Sequence, residues 1–382
     1  MAIYRLINSI QHYQWGSKEL IPDLMGIENP EGKPFAEVWM GAHPKAPSRV
    51  DGGDMERSLI DLIADDPSRL LGTATAERFG GLPFLFKFLA AGEPLSIQAH
   101  PTKAQAEEGF ARENRNGPGI AAPERNYKDD NHKPEILCAL TPFWALRGFR
   151  PWEEIQELAA EAGSPLYAAL AAQAQDLEEF FASLMHYEKP AALIEELVAA
   201  AAEKEGTIYD WIGRLNRFHP GDTGVAAPLY LNLLRLEPGQ ALYLDAGELH
   251  AYLEGLGVEL MANSDNVLRG GLTVKHVDVP ELMATLSFQG APPEILHAEV
   301  EGREERYHTP APEFELSAIR LDGGEYSVDT GGRCQILACT EGSLTLEGGF
   351  SFKPGESFFV SADHGGYTIA GSGLVYRAAV PE

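Results

Sequence analysis

Cysteine is scarce. Cys138, Cys334 and Cys339 are spread over 382 residues, too few for a disulfide framework and wrongly spaced for paired-cysteine zinc sites. Basic residues are also short: 30 Lys and Arg stand against 57 Asp and Glu, a formal net charge of -27. Such a surface repels nucleic-acid phosphates, so no nucleic-acid partner is expected. It also opposes an anionic small substrate at long range, but screening over about 8–10 Å leaves room for a local cluster of cations. Any phosphate site must therefore name its lysines and arginines. No apolar run reaches the length of a membrane span, so no membrane partner is expected. The opening MAIYRLINSIQ lacks a basic segment followed by an apolar one, which makes the cytoplasm the expected location.

What is present is a globular composition, 44% apolar, in a chain long enough for two or three domains at roughly 150 residues each. Up to residue 150 the pattern is mostly β. Residues 36–41 and 82–90 read as strands, and Ser58 as the N-cap of a helical stretch. Lys87 interrupts the apolar second strand, where an ammonium needs a partner or must snorkel to the surface. Residues 94–101 alternate, with Ser96, Gln98 and His100 on one face. Residues 103–112 suggest a short helix, and 114–130 a long loop. The loop leads to Asn131-His132-Lys133-Pro134-Glu135, ahead of an apolar strand. A carboxylate there must be paired, protonated or bound to metal; Lys133, on the same strand face, is the local counter-ion.

Residues 153–205 are rich in Ala, Leu and Glu at helical spacing, broken near Gly163-Ser164-Pro165 and Lys189-Pro190, and read as an inserted helical domain. His186 and His219 there are expected to have no catalytic role. Strand character returns at 229–236. A Pro-Gly turn then leads to a short strand with His250 and Tyr252 on one face, a pattern frequent in small cupin-type barrels. Glu259 lies in the next strand-like run, Ser264-Asp265-Asn266 is a turn, and Arg269 follows. From about residue 292 strands and turns alternate like a second cupin-like domain without a metal set. The ligand-grade residues on β segments are then Gln98, His100, Glu135 and His250, oxygen and nitrogen donors that suit Zn²⁺ with an open position and are compatible with other divalent metals.

The segments YQWGS, EVWMGAHP, LPFLFKFLAAGEPLSIQAHP, APERNYKDDNHKPE and AGELHAYLEGLGVELMANSDNVLRGGLT resemble the type I phosphomannose isomerase family up to about residue 278. The resemblance implies a mainly β fold: a cupin-like jelly-roll catalytic barrel (1–150 plus 223–285), a helical domain (151–222) and a second cupin-like β domain (286–382). It implies a zinc-dependent aldose–ketose isomerase that interconverts mannose 6-phosphate and fructose 6-phosphate, with one Zn²⁺ per chain held by Gln98, His100, Glu135 and His250. Trp15, Glu37, Lys87, Lys133, Tyr252, Asp265 and Arg269 fall on motif positions that line the family's pocket. Asp130 and Asp245 depart from the family in loops.

Moving a carbonyl between C1 and C2 requires a proton shuttle and stabilisation of an enediolate. Arg269 and Lys133 are expected to be essential, with Asp265 or His132 handling protons or ring opening and Glu259 a further candidate. Lys87, Lys103 and Ser96 are the expected phosphate contacts. A sugar-phosphate-binding or regulatory cupin without catalysis is the alternative; an iron-dependent oxygenase would need a different ligand set. The oligomeric state stays open, with a monomer plausible.

Overall fold

Every residue of the strand Phe84–Ala91 is buried, as a strand covered on both faces requires. The computed structural model describes residues 3–50 and 56–382. In it this strand pairs antiparallel with Glu37–Gly41 on one side and with the 13-residue strand His250–Ala262 on the other. The long strand changes partners along its length. Residues 250–254 pair with Phe143–Phe149, and residues 257–261 with Glu135–Ala139. The change falls at Gly255, φ +133°, where an added Cβ would lie 2.8 Å from the Pro142 carbonyl oxygen. A side chain there would block the bend. Together with five further short strands this makes a ten-stranded sheet.

The expected helical insert is present as five helices between Trp152 and Phe218. Two of its four breaks follow the predicted punctuation, and those after Gln173 and Ala201 lie outside it. Ser164 caps one helix through the Tyr167 N–H, and Pro190 begins another. Phe180, Phe181 and Trp211 bury against Phe149, Leu231 and Ala251 of the first sheet, so the insert shares that sheet's core.

The remaining strands form a second ten-stranded sheet around Glu315–Asp329, Gln335–Leu346 and Gly366–Ala379. The expected boundaries place residues 1–150 with the catalytic barrel, and 1–2 and 51–55 lie outside the described residues. Within that range Ile3–Ile7 pairs with Ser357–Val360, and Arg49–Val50 pairs with Ile7 and Leu6. The amino-terminal strand therefore hydrogen-bonds into the carboxy-terminal sheet. The physical reason is a common core: Phe84, Phe86 and Phe88 pack in one apolar cluster with Phe314, Ile336 and Phe359. The architecture is mostly β with a helical insert, as the sequence implies.

Candidate active site

Strand register brings distant residues together. Gln98 lies directly opposite His250 on one side and Arg269 on the other, while Glu135 lies opposite Met261. His100, Glu135 and His250 are buried and converge, their ligand atoms all within 4.8 Å of one another. Glu135 Oε1 lies 3.5 Å from His100 Nε2, and Glu135 Oε2 lies 3.5 Å from His250 Nε2. Each ring's Nδ1 donates to a backbone carbonyl, His100 to Asn266 at 2.7 Å and His250 to Glu248 at 3.0 Å. That arrangement fixes the tautomer that leaves Nε2 free as a ligand. His100 Nε2, His250 Nε2 and Glu135 Oε2 have no hydrogen-bond partner although buried, and a buried polar atom without a partner is costly.

The protonation states suit the same role. Burial, then Lys133, pushes the His100 imidazole down to about 4, so it stays neutral. Burial opposes charge on Glu135, but Lys133 overrules it and holds the carboxyl well below its ordinary value. Two imidazoles and a carboxylate, with the Gln98 amide paired beside them, fit Zn²⁺ chemically. Lys133 Nζ sits 2.8 Å from Glu135 Oε1, so the ion pair read from sequence also forms.

A cavity of about 790 Å³ opens beside this cluster, lined by Gln98, Lys133 and Glu135 among others. Trp15, Glu37, Lys87, Ser96, Tyr252, Glu259, Asp265 and Arg269 also line it. Lys87 does not snorkel. It is 6% exposed and bonds Glu259 at 2.7 Å and Glu37 at 3.2 Å. Burial disfavours its charge, yet the two glutamates outweigh burial and raise its pKa. Burial, with Glu135 and Glu37, pushes Glu259 up against the pull of Lys87. Trp39 donates from Nε1 to Glu37 at 2.8 Å, which leaves Glu37 buried but satisfied rather than solvent-facing.

Two expected site residues stand apart. Lys103 is exposed and reaches the Asp130 carbonyl at 2.7 Å; on the first turn of its helix it points along the loop and does not line the cavity. His132 pairs with Glu313 at 2.7 Å, across to the carboxy-terminal domain, because neighbours in an extended segment face opposite ways and Lys133 takes the cavity side. His219, for which no role was expected, lines the cavity with Phe218.

Several lining residues escaped the sequence reading. His43 and Lys45 follow the strand that carries Glu37 and flank Asp265, with Lys45 Nζ 2.9 Å and His43 Nε2 3.8 Å from its Oδ2. Burial opposes charge on Asp265, but Lys45, His43 and Lys133 outweigh it and lower its pKa. The available signal was their place in EVWMGAHPK, two and four residues beyond the strand. In the sequence Asp129 lies in the long loop 114–130 and Asn266 in the turn after Ser264. Asn266 accepts from the Lys128 and Asp129 N–H groups, and Asp129 accepts from the Asp265 N–H at 2.7 Å. They tie the Asp265 turn to the segment before Lys133. Lys275 lines the mouth near Arg269 and Lys128, and partial burial followed by those two cations lowers its pKa.

Residues 3–152 match the family described as phosphomannose isomerase type I, catalytic domain, and residues 303–380 the mannose-6-phosphate isomerase cupin domain. The chain is 45% identical over 386 residues to a mannose-6-phosphate isomerase of Escherichia coli (strain K12), covering 98% of both chains. The Homo sapiens mannose-6-phosphate isomerase is 35% identical over 383 residues, covering 90% of this chain and 88% of that one. Among solved structures, the mannose 6-phosphate isomerase of Salmonella typhimurium bound to substrate and zinc superposes with a TM-score of 0.94. It is 42% identical, with 100% of both chains covered.

Proposed function

The chain belongs to the type I phosphomannose isomerase family, and on that premise we propose that it interconverts mannose 6-phosphate and fructose 6-phosphate, with one zinc ion per chain. The observation that carries this reading is the buried, unpartnered set of His100 Nε2, His250 Nε2 and Glu135 Oε2, of which Glu135 lines a cavity that also holds Arg269. Gln98, His100, Glu135 and His250 would hold the zinc, which supplies Lewis acidity when bound.

The chain's own residues divide the remaining work. Aldose-to-ketose conversion removes a proton from C2 and returns one to C1, while O2 gives up its proton and O1 gains one. Asp265, kept anionic by Lys45, is the proton acceptor this arrangement favours. Lys133 and Arg269 place positive charge where the enediolate oxygens develop. Glu259, engaged with Lys87 at 2.7 Å, holds that lysine in place. Trp15 and Tyr252 shape the sugar pocket, and Ser96 offers a hydroxyl on the same wall. The phosphate is assigned to Lys275 with Lys128 beside it. Lys87 is already paired with two carboxylates and Lys103 faces away, so neither competes for that role. His132, bound to Glu313, is assigned to anchoring.

A cytoplasmic enzyme is the form we propose. Among the described residues no helix is long and apolar enough to cross a membrane. The test is Asp265→Asn in a coupled assay of mannose 6-phosphate conversion. Loss of general-base action should lower kcat by about 10²–10⁴-fold with zinc content unchanged. A variant as active as wild type removes Asp265 from the mechanism. A wild-type chain that binds sugar phosphate without turnover supports a non-catalytic cupin instead.

A further inference from the structure

Asp222 lies outside the cavity, at the end of the helical insert and three residues beyond His219. Its simplest role is to cap the short turn that follows, through the Gly224 N–H at 2.7 Å. The same carboxylate reaches further. Oδ1 also accepts from the Leu272 N–H at 2.9 Å, and Oδ2 from the Thr273 N–H at 3.2 Å. One side chain therefore closes three backbone donors on two segments that are 50 residues apart.

The segment it grips is unusual. Leu272 has φ +51°, and among the described residues it is the one non-glycine residue with positive φ. A branched side chain there is strained and persists only where its surroundings hold it. It is also 1% exposed. The two backbones meet without room for side chains: a Cβ on Gly224 would lie 2.7 Å from the Leu272 nitrogen, and one on Gly271 would lie 2.9 Å from the Gly224 Cα. Beyond the grip, Thr273 Oγ1 accepts from the Lys275 N–H at 3.1 Å. Leu272, Thr273, Val274 and Lys275 form the mouth of the cavity, just after Arg269.

We propose that Asp222 is a positioning residue through which the helical insert fixes the 272–275 loop, so that Lys275 and Thr273 meet the phosphate end of the substrate. This rests on the phosphate assignment made above. It gives the insert a part in substrate recognition besides its wall residues Phe218 and His219. The carboxylate touches no substrate. It acts by keeping a strained loop in one conformation before binding, which spares the ordering cost that a mobile loop would impose on affinity.

The test compares wild type, Asp222→Ala and Asp222→Asn, each loaded with zinc. Three readouts are taken: steady-state isomerisation, competitive inhibition by inorganic phosphate, and hydrogen exchange at the Leu272 and Thr273 amides. Asp222→Ala should raise KM and the inhibition constant for phosphate on the order of tenfold, since small misplacements of positioning groups are costly. In the same variant kcat should stay within about threefold, and both amides should lose protection. Asp222→Asn keeps an oxygen for Gly224 and Leu272 but loses the Thr273 contact, so its KM should fall between the other two. An unchanged KM and phosphate constant, with only a lower melting temperature, overturns the proposal and leaves Asp222 a turn cap. An equal fall in kcat and kcat/KM at unchanged KM overturns it too. If wild type does not turn over mannose 6-phosphate, the functional reading fails separately. The hydrogen-exchange arm then still decides whether this carboxylate holds the loop.

Discussion

Glu135 carries two relations at once: one oxygen faces Lys133 and the other faces His250 without a hydrogen. An ion pair alone satisfies one oxygen and leaves the other stranded, which is why a cation beyond Lys133 is required. Glu135→Ala should reduce zinc from one per chain to near none and abolish turnover, read by elemental analysis and the coupled assay. A variant that keeps both leaves the Lys133 pair as the whole role of the residue. His43 supports a second prediction at this scale. Burial depresses its pKa, reinforced by Lys87 and Lys45 and opposed by Asp265 and Asp129. Below about 6.5, the ordinary histidine value, the unfolded chain takes up a proton that the folded chain resists. The contribution of His43 to stability is therefore present above that pH and lost as pH falls through the lowered folded value. His43→Asn should lose less stability than wild type between pH 7 and 5 in urea titrations; parallel losses contradict this. At this scale the sequence showed which residues are chemically able. It did not show facing: Lys103 and His132 are the right types on the wrong sides, and only the register and the Glu313 contact reveal that.

Among the elements, the strand His250–Ala262 organises the site, because its pairing sets Lys87 opposite Glu259 and Gln98 opposite His250. The continuous apolar run 82–90 marked Lys87 as out of place, but its partners lie 50 and 172 positions away. No local pattern could supply them. Lys87→Met should leave Glu37 and Glu259 buried without a counter-charge and cost about 3–5 kcal/mol of stability, measured by chemical denaturation. Adding Glu259→Gln should recover part of that loss; a Lys87→Met protein as stable as wild type contradicts the buried pairing. The helical insert was the most legible element, since its spacing, caps and prolines all act within a few residues. The short strand Ile97–Ala99 was less so: only these three residues of the expected run 94–101 form the strand, and Leu95 meets the long strand through its N–H to the Tyr252 carbonyl.

Across the whole molecule, two sheets share one core. Phe84 to Phe88 pack with Phe314, Ile336 and Phe359, and Tyr307 Oη donates to the Gly239 carbonyl at 2.8 Å across the same boundary. The two β regions were separable by sequence pattern, but shared packing is a property of the assembled fold and left no local mark. A chain ending at residue 291 should therefore expose that core and bind a hydrophobic dye with loss of its near-ultraviolet signal. A cooperatively melting fragment contradicts a common core. The central claim joins this scaffold to a single reaction, and one measurement reaches it most directly: conversion of mannose 6-phosphate to fructose 6-phosphate by the purified chain, with zinc content followed through chelation and reloading. The account predicts turnover with one zinc per chain, its loss on chelation and its return with zinc. A chain that turns over fully without metal, or that holds one zinc per chain and forms no fructose 6-phosphate, contradicts it.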